Sequence, residues 1–115
     1  MIDNLEQLTV SNTNYREVVH TTKNMQLVLM SIPYKEEIGT ETHSDTTQFI
    51  KIEKGNGYVV IKNKTFDVSA GDSIVIPPKT KHNVVSLSKN GLKLYTIYSP
   101  PEHKRWLIQK TKPQN

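Results

Sequence analysis

Short apolar or alternating runs, separated by Gly, Pro and Asn turn signals, recur along this chain at roughly ten-residue intervals, a cadence that belongs to an all-β sandwich or barrel. Met25–Ile32 reads as a strand stopped by Pro33. Thr47–Glu53 alternates and meets Gly55-Asn56-Gly57, a turn sequence. Tyr58–Lys62 and Thr65–Val68 flank Asn63-Lys64 and read as a hairpin on a tight turn. Gly71-Asp72 precedes Ser73–Ile76, Pro77-Pro78 ends that run, and His82–Leu87 and Leu92–Ser99 follow with Lys89-Asn90-Gly91 between them. No stretch sustains an apolar period of about 3.6 residues beyond a short segment. The only helix expected is a brief one near Asp3 to Leu8. Residues 100–115 are polar and basic apart from Trp106-Leu107-Ile108, and read as an arm that packs partly on the barrel and ends loosely. With no repeat, linker or low-complexity tract, residues 1–115 are assigned to one domain, with the barrel at about 24–99.

Charge and cysteine content narrow the function classes. Fifteen Lys and Arg stand against 11 Asp and Glu, a net charge of +4 that is dispersed along the chain. Lysines at alternating strand positions read as a solvated sheet face, so nucleic acid is not the expected partner, although a bias toward small anions remains. The absence of cysteine removes disulfides, thiolate metal sites and cysteine nucleophiles, and agrees with a reducing compartment. The acidic start and the lack of any apolar run near the roughly 20 residues of a membrane span suggest a cytoplasmic protein with no membrane partner.

Four polar residues stand out against this background. Glu41 and His43 are two apart, so in extended backbone they project to one side. Gln48 opens an alternating run and shares its face with Ile50 and Ile52, whereas Lys51 and Glu53 take the other face. An amide on an apolar row needs a partner, and a metal ion could supply one. His82 follows Pro77-Pro78 and opens a strand, so its imidazole has a preset direction, as a metal ligand requires. Each has a plainer reading: Glu41 as a solvated loop residue, His43 and His82 as satisfied core histidines, Gln48 as an amide bonded to the next strand. His20 reads as a surface or satisfied histidine, His103 as a lid or supporting residue, Phe49 and Trp106 as packing or interface residues, and Asp45 as a turn residue. Tyr95 and Tyr98 face opposite ways, so only one of them can line a cavity.

The segments around these four resemble the two motifs of the cupin superfamily. Glu41-x-His43 stands where the first motif has His-x-His, Gln48 stands at its acidic position, and Gly55 closes it. Gly71, Pro77 and His82 fall in register with the second motif. Lys35 and Lys79 occupy positions where the pattern has glycine, and Ser86 replaces an asparagine. The stretch from Leu92 to His103 is similar to small single-domain cupins of the mannose-6-phosphate isomerase-like kind. The resemblance implies a jelly-roll barrel holding a divalent metal ion on Glu41, His43, Gln48 and His82. Glu41 and Gln48 then exchange the roles of the usual histidine and glutamate without changing the formal charge. Such a donor set suits Fe, Mn, Zn or Ni. The function expected is a metal-dependent enzyme acting on a small sugar-like or acidic molecule, isomerase-like or dioxygenase-like, with Glu41 as an alternative catalytic base. A barrel that binds a small molecule without chemistry is the other reading. The resemblance also implies a homodimer, with Leu27, Leu29 and the N-terminal segment at the contact.

Overall fold

Alternating side chains sort onto two faces, and the chain uses this to form nine strands and one helix among the residues described, 2–114 of a computed structural model. In chain order these are α1 (Leu5–Ser11), β1 (Arg16–Thr21), β2 (Gln26–Ile32), β3 (Thr47–Lys54), β4 (Asn56–Ile61), β5 (Lys64–Ser69), β6 (Ser73–Ile76), β7 (His82–Ser86), β8 (Leu92–Ser99) and β9 (Ile108–Gln109). One sheet has six strands in the order β6-β3-β8-β2-β1-β9, and the other has three in the order β5-β4-β7. All pairings between strands are antiparallel. The architecture is the expected all-β single-domain barrel. No helix of the described residues is long and apolar enough to cross a membrane.

Cross-strand register explains which residues reach the interior. Directly opposed residues share a face, so the pairs Gln26–Tyr98, Tyr98–Gln48 and Gln48–Ile76 form one polar-to-apolar row across β2, β8, β3 and β6. A parallel row runs through Arg16, Met30, Leu94 and Ile52. Met30, Ile32, Ile50, Ile52, Leu92 and Leu94 are fully buried and pack with Val59 and Val84 of the smaller sheet. At roughly 25 cal/mol per Å² of apolar surface, this core is the main source of stability. The polar row lies at one end of it.

Several details depart from the sequence expectation. The sheet extends past 24–99 at both ends: β1 pairs with β2, and β9, from the arm, pairs with β1. A register shift between Val18 and His20 breaks the period-two alternation of β1, which hides the strand. The helix is two residues later at its start than Asp3 and runs to Ser11, because the Asn4 side chain caps it by accepting from Gln7 N–H at 3.0 Å. The hairpin turn is Lys62-Asn63, both at positive φ (49° and 70°), so β5 begins at Lys64. Gly57 lies inside β4, not in a turn: a Cβ there would run into the Val85 carbonyl oxygen of β7. Leu27 and Leu29, expected at a dimer contact, are already buried within the single chain. Trp106 is 84% exposed, so the packing reading fails for it, whereas Phe49 does lie beside Tyr95.

Candidate metal centre

The loop before β3 is stitched to the start of β7. Glu41 N–H donates to His82 O at 2.9 Å and His82 N–H donates to Glu41 O at 3.0 Å. A mutually bonded antiparallel pair presents its side chains on the same side. Two further bonds fix the loop: Gly39 N–H to Asn83 Oδ1 at 2.9 Å, and Lys79 N–H to His43 O at 2.7 Å. Glu41, His43 and His82 thereby bring one donor atom each within 4.8 Å of one another. His43 Nε2 and Glu41 Oε2 are 3.9 Å apart, and the two imidazole centroids are 5.4 Å apart. Two donors about 2.1 Å from a shared ion can be separated by up to about 4.2 Å, a spacing that the His43–Glu41 pair meets. This group could hold a metal ion.

The second atom of each side chain decides what the first can do. His82 Nδ1 is 2.8 Å from the Thr80 carbonyl oxygen, which can only accept, so Nδ1 carries the proton and Nε2 presents a lone pair. His43 Nδ1 is 3.1 Å from Glu102 Oε1 and donates to that carboxylate, which leaves Nε2 in the same state. Gln48 Nε2 donates to Thr96 Oγ1 at 3.0 Å and lies 3.4 Å from the Tyr98 hydroxyl, so its Oε1 is turned to the remaining space. His43, His82 and Gln48 are 8%, 3% and 1% exposed. The four atoms left over, Glu41 Oε1, His43 Nε2, Gln48 Oε1 and His82 Nε2, are all buried and have no hydrogen-bond partner among the described residues. Orphan acceptors of this kind cost roughly 1–3 kcal/mol each if nothing satisfies them.

A second buried glutamine gives the contrast. Gln26 Nε2 donates to His103 O and Thr21 Oγ1, and Gln26 Oε1 accepts from Glu102 and His103 N–H. Its amide is fully used, and it pins residues 102 and 103 against the barrel. Gln48, on the same interior row, keeps an oxygen free. The plainer reading of Gln48 therefore accounts for its nitrogen only.

Tyr98 is the tyrosine that faces the interior beside the donor set, and Tyr95 is on the other face, against Phe49. The Tyr98 ring meets His43 and His103 edge-on, at 5.8 and 5.2 Å. Burial, with Glu41 next in effect, holds its phenol above the usual range, so it remains a neutral O–H. Burial, followed by the nearby Arg16 and His43, pushes the His103 imidazole down to about 4. His20 lies elsewhere, 2.7 Å from Asp3 Oδ2. Glu102 was not singled out from the sequence. Its only signal is its place in Pro100-Pro101-Glu102-His103, a segment whose contact with His43 depends on the fold.

The two lysines at glycine positions of the motif pattern keep a glycine-like backbone. Lys35 has φ of 65° and Lys79 of 63°, in the left-handed region. Their backbone N–H groups hold the site's surroundings: Lys35 donates to Ser86 O and Lys79 to His43 O.

Comparison with known proteins agrees with this fold. A family model described as a cupin domain matches residues 28–98. Protein L612 of Acanthamoeba polyphaga mimivirus is 42% identical over 97% of this chain and 72% of its own length. YrkC of Bacillus subtilis (strain 168) is 37% identical over 95% of this chain, which spans 62% of that relative's length. The crystal structure of BH2720 from Bacillus halodurans superposes with a TM-score of 0.95 at 35% identity, covering 97% of this chain and 89% of that one. With the motif-bearing barrel matched from β2 to β8, the chain belongs to the cupin domain family.

Proposed function

We propose that the chain holds one divalent metal ion on Glu41, His43, Gln48 and His82 and is a metal-dependent enzyme acting on a small sugar-like or acidic molecule. One observation carries this reading: four buried, partnerless acceptor atoms on residues brought together from three parts of the chain, on side chains whose other polar atoms are largely engaged. A divalent ion bound there would polarise a carbonyl or hydroxyl group of the substrate. The protein's own groups do the rest. Glu102 and the Thr80 carbonyl hold the two imidazoles in the ligating tautomer, and Thr96 and Tyr98 hold the Gln48 amide. Glu41 either completes the donor set or takes a proton from a substrate carbon, as an isomerase needs. Tyr98 packs edge-on between His43 and His103 beside the donor set.

The donor set suits both isomerisation and oxygen chemistry, and the two are separated by experiment. Elemental analysis tests the metal reading: close to one metal ion per chain in the purified protein, lost in His43→Ala and His82→Ala, is the expected result. Metal-free protein that takes up no added Mn(II), Zn(II) or Fe(II) would overturn it. Turnover without oxygen separates isomerisation from oxygenation, and stabilisation by a ligand without product would leave a binding protein.

A further inference from the structure

A buried arginine beside the donor set is only partly satisfied by the fold. Arg16 lies on the interior row with Met30, Leu94 and Ile52 and is 9% exposed. Its Nη1 donates to Gln109 Oε1 at 2.8 Å, and its guanidinium lies 5.2 Å from the Tyr15 ring centre. Its Nε is buried without a partner, and no carboxylate forms an ion pair with it among the described residues. A charge taken out of water needs a counter-charge or a full set of hydrogen bonds, and here the protein supplies neither.

The surroundings point to what supplies it. Arg16 lines a cleft of about 200 Å³ together with Gly39, Thr40, Glu41 and Lys112. Glu41 joins that cleft to the candidate metal centre. The absence of a side chain at Gly39 leaves room beside the Lys112 ammonium, which is 3.9 Å from where a Cβ would stand. Two cations thus share one cleft with a single carboxylate, Glu41. With Nη1 engaged by Gln109, the edge formed by Nε and Nη2 is the one left to bind, and its two parallel N–H groups match the two oxygens of a carboxylate.

We infer that Arg16, with Lys112, is a carboxylate-recognition subsite, so that the molecule handled at the metal centre is a small carboxylic acid whose carboxylate rests on the Arg16 edge. For its second anchor point the inference rests on the metal reading above.

The test is calorimetric titration of the purified protein with malonate, malonamide and inorganic phosphate, with and without stoichiometric Zn(II), alongside elemental analysis of every sample. Malonate is expected to bind and malonamide not. Arg16→Gln is expected to weaken malonate binding by about tenfold or more, and Lys112→Ala by less, with metal content unchanged in both. Should Arg16→Gln not fold, Arg16→Lys keeps the charge and removes the paired N–H edge; a severalfold loss is expected. Equal malonate affinity in the Arg16 variants and the parent, or equal binding of malonamide, would overturn the subsite. Phosphate binding tighter than malonate would overturn the carboxylate class. Loss of malonate binding in Arg16→Gln while the protein takes up no metal would uphold the subsite and sink the metal reading instead.

Discussion

Glu41 and His82 exchange both main-chain hydrogen bonds, at 2.9 and 3.0 Å, and so send a carboxylate and an imidazole from distant parts of the chain to the same side. The bridge makes ligand geometry a property of the backbone. Ion binding should then be felt by the whole barrel.

A ligand that binds only the folded state stabilises it by about 4 kcal/mol at 1,000 times its dissociation constant. Removing bound metal with EDTA should therefore lower the thermal midpoint, and restoring Zn(II) or Mn(II) should raise it again. His82→Ala should abolish the response. Melting curves that superimpose with and without chelator would count against the site.

Glu102 acts on His43 through Nδ1, and its second oxygen is 3.4 Å from Thr46 Oγ1. Glu102→Ala should leave the fold intact, since the carboxylate lies at the surface of the arm, and should weaken metal affinity by about 10- to 100-fold. Competition with a chromophoric chelator measures this directly. Parent-like affinity would show that the His43 tautomer needs no carboxylate.

His103 supplies a pH dependence with a definite sign. Its folded-state value is about 4 against an ordinary value of about 6.5, so between these the unfolded chain binds more protons. Stability is then full above about pH 6.5 and declines as the pH falls through about 4. For a partly exposed ring, with screening by water allowed for, the loss is on the order of 1–2 kcal/mol. His103→Phe keeps an aromatic edge against Tyr98 and removes the titration. Urea midpoints at pH 7 and pH 4.5 should differ less in the variant than in the parent; an unchanged difference would exclude His103 as the cause.

Lys79 holds a left-handed backbone that a side chain disfavours by roughly 1–2 kcal/mol, while glycine loses some of that gain to its freer unfolded chain. Lys79→Gly should stabilise the protein by about 0.5–1 kcal/mol, seen as a higher denaturant midpoint at an unchanged slope. A lower midpoint would mean that the lysine side chain makes a favourable contact outweighing its backbone strain.

Much of this was legible in the sequence, for physical reasons that differ from residue to residue. Gln48, Ile50 and Ile52 alternate with Lys51 and Glu53, so the interior face of β3 could be read from polarity alone. His82 was marked by the rigid prolines before it. Arg16 could not be read this way. It lies on a strand whose alternation is broken at Val18, and nothing local distinguishes an inward arginine from a solvated one. Glu102 was hidden because its partner, His43, is far away in the chain and is reached only once Gln26 has fastened the arm. The Lys62-Asn63 turn was misplaced by one residue because Asn63 marks a turn without saying which neighbour shares it.

The fastening of residues 102 and 103 by Gln26 also divides two tasks within the chain. Every strand of the two sheets except the two-residue β9 precedes Glu102, so the strands that carry the scaffold and the residue that faces His43 Nδ1 belong to different segments. Changes in the arm can therefore tune one imidazole without redrawing the barrel that presents it.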